Sequence, residues 1–550
     1  MGVLEGLRQP VSKKDYLALC LILCSLFVAS GFFILSLRDI YGIEARTGLF
    51  VRSLFLGKGF FCPVLYDRPY PDYPSFYFLL SWLACLPQKC ACSFCLSAPS
   101  LFSGAMLVFF VYVLTRKHIG EKTAICSSLI LFATPHFWLF AQRATVDMLL
   151  ALLSFLANIL FYEGCVKSKS LFSKKSLTAF GLMALSYLTK GPIGLILCIL
   201  PTAIFLTLKG EFAFVCRFMA MGAAVSALTL AVHFTGIFYQ GGPNLIHKVI
   251  YSQLFSRLSG HANKPFYYYF VFILLTFSPW LLLSAFLRIR KGGLVHRPYN
   301  LDEGARRFHL FVLLYLLSDL APFVLASSRH ARYLLPIFPP ISILLSVILL
   351  KGLGTENKKT IHKKMALLIF AILAGLFLLL SKMEFLGTSL PMMSALGYLL
   401  VFSFCGTLLL MFSSNGLLAL ASLCFFLFFL TSSASLLIVP GLSKKESGRS
   451  FVLATEGTFK ASKGVYLVGI KPDGDGLKYS LYSRFYPKRL HFMKEPVDAC
   501  SIPHDTIAVL YDRDLKILNK NDACKGYSVI SRGYIHSKRV VSIMFSQKAS

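Results

Sequence analysis

Long apolar runs without a charge recur along the whole chain, and they limit its fold more than any other feature. Leu417 to Pro440 contains no charged side chain at all. A run of about 20 such residues, rising 1.5 Å each, matches a hydrocarbon core of roughly 30 Å. Of the 550 residues, 56% are hydrophobic and 15% charged, whereas soluble domains carry about a quarter charged residues. The chain reads as a polytopic α-helical membrane protein.

Runs able to cross fall at about 17–37, 99–115, 122–140, 146–162, 176–189, 192–208, 213–234, 268–287, 308–326, 333–350, 365–381, 389–411 and 415–439. That gives about 13 transmembrane helices. The first, preceded by Arg8, Lys13 and Lys14, is longer than a signal-peptide core and reads as a retained span with its start inside. A further stretch, 75–86, is only about twelve residues long and meets Pro87, which suits an interfacial or re-entrant helix.

The formal net charge of +31 raises nucleic acid as a partner. Its distribution argues otherwise. Arg116-Lys117, Lys167 to Lys175, Arg288 to Lys291, Arg306-Arg307 and Lys358 to Lys364 all occupy short breaks between apolar runs. Basic residues so placed hold spans by the cytoplasmic side. With 75–86 left out of the count, every one of these breaks lands inside. The same parity puts 38–98, 141–145, 190–191, 235–267, 327–332, 382–388 and everything after 440 outside, with 38–98 a long first outer loop. The chain therefore divides into a transmembrane domain, 1–440, and a small soluble α/β domain, 441–550.

That tail alternates apolar and polar residues over parts of Gly464–Gly469 and Tyr479–Phe485, with strand-like stretches at Thr506–Tyr511 and Val540–Phe545 and a turn cluster at Pro472–Gly476. Many of the 15 cysteines lie in apolar runs as small hydrophobes. Cys85, Cys90, Cys92 and Cys95 crowd one region with a superficial likeness to a metal site, and Cys500 and Cys524 can pair in an oxidising compartment.

Ionisable residues at span boundaries are the places to look for chemistry. Glu44 and Arg46, just after the first span, are either a juxtamembrane salt-bridge ladder or a carboxylate for an acceptor hydroxyl beside an arginine for phosphate. Tyr66 to Pro74, stiffened by three prolines, offers Asp67, Asp72 and Tyr73 as a fixed platform for sugar or as part of an interfacial aromatic belt. Arg143 and Asp147 stand four apart, as a local ion pair or with Asp147 held as a base at a positive helix end. Lys190, in Lys190-Gly191-Pro192, either snorkels or clamps phosphate. His261 and Lys264 close the 235–267 loop, and Arg329, His330 and Arg332 form a basic outer cluster against the usual trend, as for an anionic ligand or lipid phosphate. No Gly-rich nucleotide loop of Walker type occurs, which argues against an ATP-driven pump.

Ala144-Thr145-Val146-Asp147-Met148 and Leu188-Thr189-Lys190-Gly191-Pro192, followed by Arg332-Tyr333-Leu334-Leu335-Pro336, resemble the membrane glycosyltransferases of the C fold, the aminoarabinose transferase and protein O-mannosyltransferase type. The resemblance departs at two places. Ile43 stands where the family carries its first acid ahead of Glu44-Ala45-Arg46, and Tyr73 stands where it carries lysine after the acid matched by Asp72.

The resemblance implies an inverting enzyme of the bacterial inner membrane, its active face and C-terminal domain periplasmic. It would take a polyprenyl-phosphate-linked sugar and deliver it to a glycolipid such as lipid A or to a protein acceptor. The implied catalytic residues are Asp147 and Glu44. Arg46, Asp72, Tyr73, Arg143, Lys190, His261, Lys264, Arg329 and Arg332 are the implied substrate-binding set. A divalent metal shared by Asp72 and His261 is also implied. Two other readings stand beside it: a lipid-linked sugar transporter, for which inverted repeats are expected, and a noncatalytic envelope assembly protein, favoured by Ile43 and Tyr73.

Overall fold

A computed structural model describes residues 13–255, 264–290, 293–294, 302–326, 328–355, 416–458, 463–503, 505–519 and 527–545. Each expected apolar run within these residues is helical; those at 365–381 and 389–411 lie outside them. Among the described residues, seven helices are long and apolar enough to cross a membrane, or up to nine if each of two bent pairs is one span. The chain is a multi-pass membrane protein.

Two compact units are distinguished: residues 1–32, 71–77 and 99–437, and residues 33–70, 78–98 and 438–550. In the first unit, local chemistry explains where helices break. The run expected at 122–140 is two helices, Glu121–Phe132 and Pro135–Ala141, bent by 65°. Thr134 is extended and Pro135 starts the second helix, because the proline ring disfavours a helical residue before it. The expected 235–267 loop is partly helical instead. The helix Phe212–Ile250 runs through its first half, interrupted only at Gly242 with φ 70° before Pro243.

The helices Val146–Phe161, Lys174–Lys190, Pro192–Leu208 and Phe212–Ile250 share a core of Ala157, Phe161, Ala179, Phe180, Met183, Cys198 and Phe218. Small residues among the large ones let helices approach closely where lipid supplies no hydrophobic drive. Gly194 is the extreme case. A Cβ there would sit 2.3 Å from the Ser186 carbonyl oxygen, so only glycine lets the Pro192 helix fold back on the Lys174 helix.

In the second unit, β1 (Val64–Leu65) and β2 (Arg68–Pro69) form a short antiparallel ladder. The tail builds one five-stranded sheet from β3 (Val465–Val468), β4 (Leu490–Met493), β5 (Ile507–Tyr511), β6 (Tyr527–Ile535) and β7 (Lys538–Phe545), in the order β4-β3-β5-β7-β6. Strands β3, β4 and β5 are parallel, while β7 pairs antiparallel with β5 and β6. β5 is buried along its whole length, as its Ile-Ala-Val-Leu-Tyr run suits.

The strand-like reading of Tyr479–Phe485 is corrected, since Asp475–Tyr482 is a helix. Residues 475 to 481 are all buried, so polar and apolar positions do not mark two faces, and period-two alternation loses its meaning. β4 and β6 were not among the expected strands. Cys500 is disulfide-bonded, and Cys524 lies outside the described residues.

Arg52 donates to the carbonyls of Ser480, Leu481 and Ser483 at 2.7 to 3.2 Å, tying the helix Glu44–Phe55 to the tail within this unit. Asp475 is one of the buried acids of this unit. It accepts from Tyr511 Oη at 2.7 Å and Lys538 Nζ at 2.9 Å, with Lys478 at 3.6 Å. Burial pushes its carboxyl up, but the Lys538 and Tyr511 hydrogen bonds and the Lys478 charge outweigh this and hold it below the usual aspartate range.

A depressed native value means the contribution to stability is complete above the unfolded value of about 3.9 and is lost as pH falls through the native one. Thermal denaturation of the full chain should therefore show a melting temperature that declines below about pH 4, and Asp475→Asn should flatten that decline while lowering the plateau. An unchanged acid limb in the variant would show that Asp475 does not carry it.

Candidate functional site in the first unit

Three chain breaks converge on one buried carboxylate. The Lys174–Lys190 helix ends at Gly191, whose φ of 77° and ψ of −152° take the chain out of the helix, and Pro192 starts the next helix without needing an amide donor. Lys190 is thereby left in the last turn, only 3% exposed. Thr145 is extended ahead of the Val146–Phe161 helix and puts Asp147 in its first turn, where the free amides favour negative charge. His330 is likewise extended before the short 3-10 helix Ala331–Ile337, which carries Arg332 and Tyr333.

Asp147 is 2% exposed. Its Oδ1 accepts from Lys190 Nζ, and its Oδ2 lies 3.1 Å from Arg332 Nε. Lys190 also sits 3.8 Å from the centre of the Tyr333 ring, a cation–π contact strengthened by desolvation. Beyond its i, i+4 neighbour Arg143, Asp147 thus meets two partners far away in the chain. Arg143 occupies the turn before the helix, its amide bonded to Phe140 O at 3.1 Å.

More of the expected residues gather around this group. His330 feels the charges of Arg332, Lys264, Asp147 and Lys190, and Arg332 that of Tyr73. Burial, and then Arg332 and Lys264, push His330 below the ordinary imidazole value, so it is neutral at pH 7. Lys264 lies 4.0 Å from the Tyr268 ring centre. Arg329 donates to the carbonyls of Lys264 and Val324, which ties the Lys264 turn to the Arg332 segment. Asp72 accepts from Ser252 at 2.5 Å, and the neighbouring Gln253 donates to Pro71 O at 3.1 Å. Gln253 packs so closely on Gly191 that a Cβ there would lie 2.8 Å from its Oε1.

One carboxylate thus faces two cations in direct contact, with Lys264 nearby. The excess is positive and little exposed to water. Arginine and lysine carry more donors than Asp147 can use, so Lys190 and Arg332 can hold Asp147 and an anion such as phosphate together. The sequence signal was strongest for the Asp147 and Lys190 segments and included Arg332 in a basic cluster, whereas Ser252 and Gln253 matter only through contacts made across the fold.

His261 lies outside the described residues. Among the described residues no group of three His, Cys, Asp or Glu side chains converges to hold a metal ion, and Asp72 is engaged by Ser252. No metal-dependent step is derived from this arrangement.

Glu44 and Arg46 belong to the second unit. Glu44, 1% exposed, opens the helix Glu44–Phe55 and accepts two bonds from Arg38, at 2.8 and 2.9 Å. Arg38 was not among the expected site residues. Arg46 donates to Tyr70 Oη at 2.6 Å and stacks 5.1 Å from the same ring.

The crystal structure of ArnT from Cupriavidus metallidurans bound to undecaprenyl phosphate superposes with a TM-score of 0.74, covering 95% of this chain and 97% of that one at 16% identity. The chain has the fold of ArnT. The apo state of the same protein matches at 0.72.

Sequence similarity points the same way. An uncharacterized protein of Aquifex aeolicus is 26% identical over 359 residues, 62% of this chain and 74% of its own length. Undecaprenyl phosphate-alpha-4-amino-4-deoxy-L-arabinose arabinosyl transferases of Pectobacterium atrosepticum and Yersinia enterocolitica are 26% and 25% identical. The chain spans about half the length of these two, 44% and 51%. No family model matches. The resemblance to the membrane glycosyltransferases of the C fold, carried by the Asp147 and Lys190 segments, is borne out.

Removing one partner of a buried ion pair typically costs ~3–5 kcal/mol, whereas replacing both by apolar groups is often neutral. Asp147→Asn should therefore lower the melting temperature of the detergent-solubilised protein, and adding Lys190→Met should recover most of the loss. Equal stability of the single variant and the unaltered chain would show that the pair is not a buried, desolvated one. Gly191→Ala should also be destabilising, through its positive φ and the contact with Gln253, to a degree that Gln253→Ala partly relieves.

Proposed function

We propose that this protein is an inverting glycosyltransferase that moves a sugar from a polyprenyl-phosphate carrier to an envelope acceptor, with lipid A as the leading candidate acceptor. The observation that carries the reading is Asp147 held between Lys190 and Arg332 in a buried, net-positive site. The resemblance to the arabinosyl transferases supports it. The donor phosphate lies against Lys190 and Arg332, with Lys264 and Tyr73 around it. An acceptor hydroxyl attacks the anomeric carbon from the opposite side and loses its proton to Asp147. The bond from that carbon to the phosphate oxygen breaks, and its electron pair stays on the carrier phosphate, neutralised by the two cations.

In this reading Arg143 and Asp72 shape the surroundings of the site, and Arg329 positions Lys264. Glu44, with both oxygens on Arg38, serves as a positioning residue. Arg46 and His261 remain assigned to substrate, and Asp72 with His261 to an optional metal. Thirteen spans, an odd number, put the active face and the domain from 441 onward on the periplasmic side of the inner membrane. A protein acceptor is the second reading of the same site, since Tyr73 replaces the lysine expected from the resemblance.

Mass spectrometry of envelope lipids and proteins, with and without the gene, should show one sugar mass missing from a single acceptor class. Asp147→Asn, compared at matched protein levels, should reduce transfer by about 10²–10⁴-fold, and Arg332→Ala by about 10²–10³-fold. Full retention of carrier-lipid binding with no sugar transferred by the unaltered chain would instead favour an assembly protein.

A further inference from the structure

Asp319 lies inside the membrane-spanning helix Glu303–Leu325, is fully buried, and among the described residues has no hydrogen-bond partner on either carboxylate oxygen. No ion pair reaches it among the described residues. An unpaired carboxylate at this depth costs several kcal/mol unless its charge is neutralised.

Its neighbours supply oxygens but no cation. The Asp319 helix packs on Pro192–Leu208, which packs on Val146–Phe161. Cys198 and Tyr315 both feel the Asp319 charge. Asn158 donates to Leu197 O at 2.9 Å, which places it beside the Cys198 turn, and Thr202 follows Cys198 by one turn on the same face. Asn158 Oδ1 and Thr202 Oγ1 are buried without a partner, like the Asp319 oxygens. Tyr315, one turn before Asp319, donates instead to Pro336 O at 3.1 Å.

The charged groups of the other packed elements are committed elsewhere. Arg332 is bound to Asp147, and Lys351 acts on His309, nearly three turns from Asp319. Water can satisfy the hydrogen bonding of these oxygens but cannot cancel the charge.

We propose that Asp319, Asn158 and Thr202 form an intramembrane site for a single positive charge, delivered as a proton or as a sodium ion. Carboxylate, amide and hydroxyl oxygens are the hard donors that an alkali cation prefers. The site sits on the helices that present Asp147 and follow Lys190, so its occupancy fixes their packing. Asn158 is eleven residues beyond Asp147 on one helix, about 16 Å deeper at 1.5 Å per residue. The inference does not depend on glycosyl transfer.

The test uses the full-length chain in detergent micelles. Dicyclohexylcarbodiimide modifies protonated carboxyls in apolar surroundings, and peptide mass spectrometry locates the adduct. If a proton occupies the site, Asp319 is modified, modification falls about tenfold per pH unit above its midpoint, and exchanging choline chloride for sodium chloride changes nothing. If sodium occupies it, sodium chloride suppresses modification relative to choline and raises the melting temperature of the unaltered chain but not of Asp319→Asn. The proposal is overturned if Asp319 stays unmodified from about pH 5 to about pH 9 in both salts and the melting temperature of the unaltered chain is indifferent to sodium. Both readouts are taken on the unaltered chain, so a variant that fails to fold leaves the test intact.

Discussion

The rest of the first unit depends on a buried negative charge that must be met by positive ones. Asp147 is almost fully shielded from water, where an unmatched carboxylate costs several kcal/mol. Its neutralisation brings together the start of one helix, the end of another and a short 3-10 turn more than 140 residues farther along. Gly191 and Gly194 make the meeting possible. The first lets the chain leave its helix at positive φ beside Lys190, and the second lets the following helix lie against the Ser186 carbonyl. A site built this way is pre-organised, because its cations are already held before any anion arrives.

The same electrostatic problem is solved differently elsewhere. In the second unit Glu44 is closed off by Arg38 in a two-pronged contact, and Asp475 is shared by Tyr511, Lys538 and Lys478. Each of these carboxylates is neutralised by cations of its own unit. Asp147 differs because the cations that hold it retain donors. Asp319 differs again, in having neither cation nor hydrogen-bond donor among the described residues.

Much of the membrane architecture was legible in the linear sequence. The apolar runs around 146–162 and 192–208 correspond to helices at Val146–Phe161 and Pro192–Leu208, because a largely apolar run in lipid must satisfy its own backbone and the helix does so within one segment. Local punctuation was less legible. The break at Thr134-Pro135 and the persistence of helix past Phe234 depend on how proline and glycine are accommodated by neighbours. In the tail, Asp475–Tyr482 imitates a strand pattern because burial on every side erases the polar face on which periodicity relies.

The sequence by itself determined that this chain resides in a membrane, and it marked Asp147, Lys190 and Arg332 as charges out of place in an apolar setting. Those conclusions rest on transfer free energies, which each residue carries wherever it lies. Only the tertiary structure decided which charges meet. The oxygens of Asp147 meet Lys190 and Arg332, 43 and 185 residues farther along, where three chain breaks converge. Pairing across the fold also separates the satisfied carboxylates from Asp319, a distinction that no spacing of residues contains.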